Sequence, residues 1–198
     1  MSSGDLDALL RVTSATYQGQ SPPDIAFGTY DGAVGRLVLA VTGRGVVACS
    51  FGDENTVFER VVRQVGSFIG PDASRLDPVR RELDAYFSGR LRTFTTPVDL
   101  ALATPFARTV LQKMMAVPYA TTTTYGEIAE RIGRPRAMRA VGNALAENPV
   151  CVIVPCHRIV QSDGGLGDYA GGPAAKQRLL TVENRAENRP ENRASGRR

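Results

Sequence analysis

Two residues able to do nucleophilic chemistry stand side by side in this chain, Cys156 and His157, at the end of Val150-Cys-Val-Ile-Val-Pro-Cys-His-Arg158. The thiolate, not the thiol, is the nucleophile, and it forms where a base or positive charge lies close. His157 and Arg158 are the nearest candidates. His157 is also the only histidine of the chain, so a cysteine hydrolase with its base far away in sequence, as in a papain-like arrangement, is excluded. Adjacency alone decides little. Neighbouring side chains on an extended chain point apart, so contact needs a turn or a bridging water. On these residues a structural pair and a functional pair both stay open.

The chemistry around the pair is distinctive in what it lacks. Gln161-Ser-Asp-Gly-Gly165 and Gly167-Asp-Tyr-Ala-Gly-Gly172 form a Gly-rich loop carrying one aromatic ring, which can offer backbone amides and a stacking face to a planar ligand. No Gly-Lys-Ser/Thr follows it, which disfavours a nucleoside triphosphate site. Three cysteines, Cys49, Cys151 and Cys156, make an odd number with no CxxC pair. A disulfide framework and a zinc site are therefore not expected, and a reducing, cytoplasmic setting is. Cys49, in an apolar run, is expected to be a buried inert thiol. The N-terminus carries Asp5 and Asp7 without a long apolar stretch, and no apolar run approaches membrane-spanning length. Neither a secretory signal nor a membrane partner is expected.

Charge is distributed unevenly. Residues 1–104 hold 10 Lys/Arg against 12 Asp/Glu, residues 105–183 hold 9 against 6, and residues 184–198 hold 5 against 2. A basic second half points to a polyanion, and a solvated surface with a basic tail would look the same.

The elements that must position the pair divide the chain. Residues 1–23 read as an extension with a short helix over Leu6–Val12. Residues 24–92 read as a small α/β domain. Its strand-like runs are Ala26–Tyr30, Arg36–Val41 and Gly45–Phe51; a helix face follows over Phe58, Val61, Val62, Val65 and Phe68, then a helix over Val79–Ser88. Residues 93–104 read as a connector, and residues 105–183 as a mostly helical domain. There Pro105 starts an amphipathic helix and Thr124-Tyr-Gly-Glu127 is a capping box for the next. After Gly133 another helix runs from Pro135 to about Glu147, giving a helix-turn-helix pattern. Arg131, Arg134, Arg136 and Arg139 crowd it, and Ala137, Ala140, Gly142, Ala144 and Ala146 make its second helix thin-sided. Such a helix suits close entry into a groove or close packing on a core. The β-branched Val150–Val154 predicts a buried strand, Lys176–Val182 a last helix, and residues 184–198 a disordered basic tail.

Taken in order, Leu83-Asp-Ala-Tyr-Phe-Ser-Gly89, Tyr125-Gly-Glu-Ile-Ala129, Arg139-Ala-Val-Gly142, Asn148-Pro149, Val154-Pro-Cys-His-Arg158, Tyr169-Ala-Gly-Gly172 and Glu183 closely resemble the O6-alkylguanine-DNA alkyltransferases. The resemblance implies a ribonuclease H-like α/β domain with a small antiparallel sheet, followed by the helix-turn-helix domain. It implies cofactor-free repair of double-stranded DNA containing O6-alkylguanine, with O4-alkylthymine as a further candidate, by a monomer that acts once and could bind DNA cooperatively. Cys156 would take the alkyl group. His157 would accept its proton through a water, Glu183 would orient the imidazole, and Asn148 would hold the turn. Tyr125 would face the departing purine. Arg139 would fill the gap left by the rotated base, with Arg134, Arg136, Ala137 and Ala140 on the DNA surface. Tyr169, Ala170, Gly171 and Ile159 would form the pocket, with backbone near Ala170 donating to O6. Relatives that bind lesions without chemistry lack the cysteine, so a pure sensor is the rival reading. Two departures matter: Ala120 stands where Gly is usual, and Asp168 where Gly or Asn is commoner, so a carboxylate bears on phosphate or on the alkyl groups that fit.

Overall fold

Strand-forming residues separated by turn glycines make a meander. β1 (Ile25–Gly32) pairs antiparallel with β2 (Gly35–Thr42), which pairs antiparallel with β3 (Gly45–Ser50). A two-residue β4 (Ile69–Gly70) adds in parallel beside β1, giving the order β3-β2-β1-β4. The small sheet is thus antiparallel with one short parallel edge. The computed structural model describes residues 22–187; the helix expected over Leu6–Val12 and the tail beyond 187 lie outside them.

Both faces of the sheet are covered, which is why β2 is apolar at consecutive positions rather than alternating. Phe27, Val38, Ala40 and Val47 pack with Val57 and Val61 of α1 (Glu54–Gln64). The opposite face, with Leu37, Leu39 and Cys49, joins a core that continues through α2 (Ala73–Phe87) into the helical half. α1 ends at Gln64, so Phe68 lies past the helix and is exposed. α2 begins six residues before the expected Val79, because the Asp72 side chain caps it by accepting from Ser74 N.

The outer edge of β3 ties this sheet to the site. Val46 N donates to Pro97 O and Asp99 N to Val46 O, both at 2.8 Å; Cys49 N donates to Pro149 O at 2.8 Å and Cys151 N to Cys49 O at 2.7 Å. The connector and the segment leading to Cys156 therefore cover an edge that would otherwise be open for pairing. Gly45, at φ 137°, is needed here: a Cβ would come 2.2 Å from Pro97 O.

In the helical half, α3 (Pro105–Met115) starts with Pro at its first turn and a Thr104 cap. α4 (Tyr125–Arg131) opens with the capping box of Thr124 and Glu127. α5 is shorter than expected, Met138–Ala146, because Arg134–Ala137 makes a turn closed by Ala137 N donating to Arg134 O at 2.9 Å. A short parallel pair, β5 (Thr123–Thr124) with β6 (Ile159–Val160), fastens the start of α4 to the residues after Cys156.

Two expectations are overturned. Val150–Val154 is not a strand: it contributes only single bridges, Val152 turns to φ 71°, and Val154 N folds back to Val150 O at 2.9 Å. Its β-branched composition reflects complete burial, not sheet pairing. The last helix, α6, is Gly172–Glu187, longer at both ends than Lys176–Val182 and absorbing the first residues assigned to the tail. Ala175, Lys176, Leu179, Glu183 and Ala186 form its buried stripe, so two charged residues sit on the face a helix normally keeps apolar.

Candidate functional site

Cys156, His157 and Arg158 form a single 3-10 turn directly after Pro155. In that turn Cys156 Sγ meets Asn148 and the His157 ring meets Glu183, so any proton passed between the two side chains needs a bridging water. Asn148 holds the turn to the preceding loop: its Nδ2 donates to Cys156 Sγ at 3.1 Å and to Val154 O at 3.4 Å, while its Oδ1 accepts from Val150 N at 3.0 Å. Cys156 is only 3% exposed. Hydrogen bonding from the Cys151 thiol holds the Cys156 thiol below its ordinary value; burial opposes this, and Asn148 and the Lys176 charge add to it. The same contact and burial push Cys151 up, and burial pushes Cys49 up. Of three buried thiols, only Cys156 is held below its ordinary value.

Glu183 is the hub behind the turn. It accepts from His157 Nε2 at 2.9 Å, Tyr86 OH at 2.6 Å, Arg158 Nη2 at 2.8 Å and Ala120 N at 2.8 Å. Burial alone would raise its carboxyl, but the His157 and Arg158 hydrogen bonds and charges outweigh that and hold it at about 2. An ionised carboxylate only accepts, so His157 carries its proton on Nε2. Nδ1 is then a free lone pair, buried without a hydrogen-bond partner. Burial also keeps the imidazole below its ordinary value despite Glu183, so it is neutral at pH 7. Arg158 Nη1 donates to Val117 O at 2.6 Å, anchoring the hub to the end of α3.

On the other side of Cys156 lies a cavity of about 750 Å³. α4 contributes Tyr125, α5 contributes Met138, Arg139 and Gly142, and the Gly-rich loop contributes Asp168, Tyr169 and Ala170; Cys156 and Ile159 form the floor. Tyr169 is wedged edge-on between Phe51 and His157, with ring centroids 5.5 and 6.3 Å away. Burial raises the Tyr125 hydroxyl, and the Asp168 and Cys156 charges raise it further, so it stays a donor.

The residues expected from sequence are divided by this geometry. Cys156, His157, Glu183 and Asn148 converge on one turn, and Tyr125, Arg139, Tyr169, Ala170 and Ile159 meet in the cavity. Gly171 faces away, toward Phe51, where a Cβ would meet the ring at 2.7 Å. Arg136 and Ala140 are exposed near α5, Ala137 is half-buried at its start, and Arg134 lies over the Phe106 ring at 5.6 Å. Ala144 is buried in the core rather than offered to a groove.

Sequence reasoning missed Tyr86, Cys151 and Lys176. Tyr86 reads as an ordinary inward aromatic and Lys176 as a helix start. Lys176 is fully buried; its Nζ donates to Leu166 O and, at 3.4 Å, to Asp168 O, pinning the Gly-rich loop. A usable signal existed: Lys176 and Glu183 are seven apart, so both fall on the buried stripe of one helix. Among the described residues no group of His, Cys, Asp or Glu is arranged to hold a metal ion, and no helix is long and apolar enough to cross a membrane.

Comparison with known proteins gives two family matches: the ribonuclease-like domain of 6-O-methylguanine DNA methyltransferase over residues 25–100, and the DNA binding domain of the same family over residues 105–185. A Mycobacterium tuberculosis protein named methylated-DNA–protein-cysteine methyltransferase is 37% identical over 80% of this chain and 92% of its own. A Methanosarcina barkeri protein of that name is 49% identical over 52% of this chain and 65% of its own. The crystal structure of Mycobacterium tuberculosis OGT in complex with DNA superposes with TM-score 0.70 at 34% identity, covering 81% of this chain and 94% of that one.

Proposed function

The chain belongs to the 6-O-methylguanine DNA methyltransferase family, and from that premise we propose that it repairs double-stranded DNA by moving the alkyl group of O6-alkylguanine irreversibly onto Cys156, once per molecule. The observation that carries this reading is a sulfur bonded by Asn148 at the floor of a cavity, with a neutral imidazole in the next residue.

The guanine turns out of the stack into the cavity, at a cost of a few kcal/mol. Arg139, exposed at the mouth on α5, occupies the space it leaves. α5 approaches the minor groove with Ala140 outward, and Arg136 adds a phosphate contact. The proton of Cys156 passes through a water to Nδ1 of His157, and Glu183 bears the imidazolium charge so formed. The thiolate then attacks the alkyl carbon in line. A carbon–sulfur bond forms, the carbon–O6 bond breaks, and its electron pair returns to the purine. The Tyr125 hydroxyl, kept protonated, donates toward the purine as that charge develops. Tyr169 stacks on the base, backbone at Ala170 donates to O6, and the carbonyls of Cys156 and Ile159 accept from the exocyclic amine. O4-alkylthymine presents the same alkyl–oxygen bond and is a second substrate.

Duplex DNA bearing radiolabelled O6-methylguanine tests the proposal. Label is expected to move to the protein up to one equivalent, and Cys156→Ala is expected to transfer none. Label that stays on DNA with the native chain overturns it. Tight lesion binding with no transfer would instead establish the sensor.

A further inference from the structure

The cavity has one charged group whose presence the transfer reaction does not explain. Asp168 lines the same space as Cys156, it is exposed, and among the described residues its carboxylate makes no ion pair. The other carboxylate of this wall, Asp163, accepts from Gly165 N at 2.9 Å and so has a turn to hold. Asp168 has no such task.

Its position is nevertheless fixed. Lys176 binds the carbonyls of Leu166 and Asp168 from beneath. Gly167 takes φ 65° and presses so close to α4 that a Cβ would lie 3.2 Å from the Tyr125 hydroxyl. Tyr169, on the other side, is held between Phe51 and His157. The backbone that carries the carboxylate is thereby held beside the cavity. The charge is felt inside: it acts on the Tyr125 hydroxyl together with Cys156, and on the Lys176 ammonium. The Lys176 ammonium is directed at two carbonyls from behind the loop and acts on both Cys156 and Asp168, so it offsets part of the Asp168 field near the sulfur, while Asp168 is the member of the pair that lines the cavity.

We infer that Asp168 is a specificity residue that selects the O6 substituent by charge, admitting neutral and cationic groups and discriminating against anionic ones such as carboxymethyl. The inference rests on the alkyl-transfer reading above and names the substrate class of that same site. An incoming carboxylate must approach Cys156 with Asp168 in the wall, and two like charges in a half-wet cavity repel by enough to change the rate about tenfold. An ammonium-bearing substituent meets attraction instead.

The test uses the full-length chain and duplexes that differ only in the lesion: O6-methylguanine, O6-carboxymethylguanine and its neutral isostere O6-carbamoylmethylguanine. Single-turnover rates are read as alkyl mass added to the protein. The native chain is expected to transfer carbamoylmethyl faster than carboxymethyl. Asp168→Asn should shrink that ratio about tenfold, whereas Asp168→Glu should retain it, with thermal unfolding verifying that both variants fold. A ratio unchanged in Asp168→Asn overturns the inference. So does an equal acceleration of all three lesions, which would mean that the carboxylate acts on DNA phosphate. Failure of the native chain on O6-methylguanine is a separate result, and it removes the functional reading itself.

Discussion

The two sides of the Cys156 turn are built on opposite principles. Behind it, Glu183 gathers His157, Arg158, Tyr86 and the amide of Ala120 into a closed network in which all the charges are buried. In front, the cavity wall is made of residues that hold on to little: Arg139 and Met138 project from α5 into solvent, and Asp168 has no ion pair among the described residues. A buried charge network is costly to break, because removing one partner strands another in a low-dielectric interior. An open wall is cheap to alter and is free to meet a ligand. On the proposed reading the contrast separates what keeps the acceptor ready from what chooses its substrate, and it predicts that the two sides fail in different ways.

The largest effect belongs to the closed side. Glu183→Gln leaves the Arg158 guanidinium buried without a counter-charge and is expected to cost about 3–5 kcal/mol of stability, measured by denaturant unfolding. The pH dependence gives the same test without mutation. The folded carboxyl sits at about 2, below its ordinary value of 4.5. Its contribution is therefore present above about pH 4.5 and is lost as pH falls toward 2. The native chain should lose about 3 kcal/mol more than Glu183→Gln across that window. Equal slopes for the two proteins would show that the hub is not an ionised network.

The open side should respond through DNA instead. Arg139→Ala is expected to leave unfolding stability within about 0.5 kcal/mol, since nothing in the core depends on it. Transfer from O6-methylguanine should slow by roughly ten- to a hundredfold if, as proposed, Arg139 fills the space left by an everted base. A comparable loss of stability in Arg139→Ala would erase the distinction between the two sides.

How much of this was legible in the sequence depends on the distance over which each residue acts. The cap at Thr104-Pro105 and the box at Thr124–Glu127 are local hydrogen-bond arrangements, and they appear in the structure at the residues that spell them. Val150–Val154 misleads because five apolar, mostly β-branched positions describe burial equally well in a strand and in a folded-back loop; the left-handed turn at Val152 and the bond from Val154 N to Val150 O make it a loop, and neither is spelled by residue type. Glu183 and Asn148 have no chemistry visible in composition and acquire expected roles only through the family resemblance. Tyr86 escaped even that, since its partner Glu183 is 97 positions distant and its side chain looks like core. The electrostatic state of the site is likewise a property of assembly: Cys156 and Cys151 are both buried thiols, and their hydrogen bonds and the charges around them separate them.

The smallest effect has the opposite sign, and it lies where the closed network reaches the backbone. Ala120 takes φ 56°, a left-handed conformation in which its Cβ crowds the following carbonyl, and it does so while its N–H donates to Glu183 Oε2 at 2.8 Å. The strain costs of order 1 kcal/mol and persists only because the surrounding structure overdetermines it. Glu183 is that determinant: it is already fixed by His157, Arg158 and Tyr86, so the amide must come to it. Ala120→Gly removes the clash while keeping the hydrogen bond, and it gives back part of the gain as extra freedom of the unfolded chain. The expected net effect is a stabilisation of about 0.5 kcal/mol, with transfer rate unchanged. In the Glu183→Gln background the hub no longer grips this turn as firmly, so the same substitution should gain less. Equal gains in both backgrounds would mean that the turn, not the carboxylate, sets the conformation of Ala120.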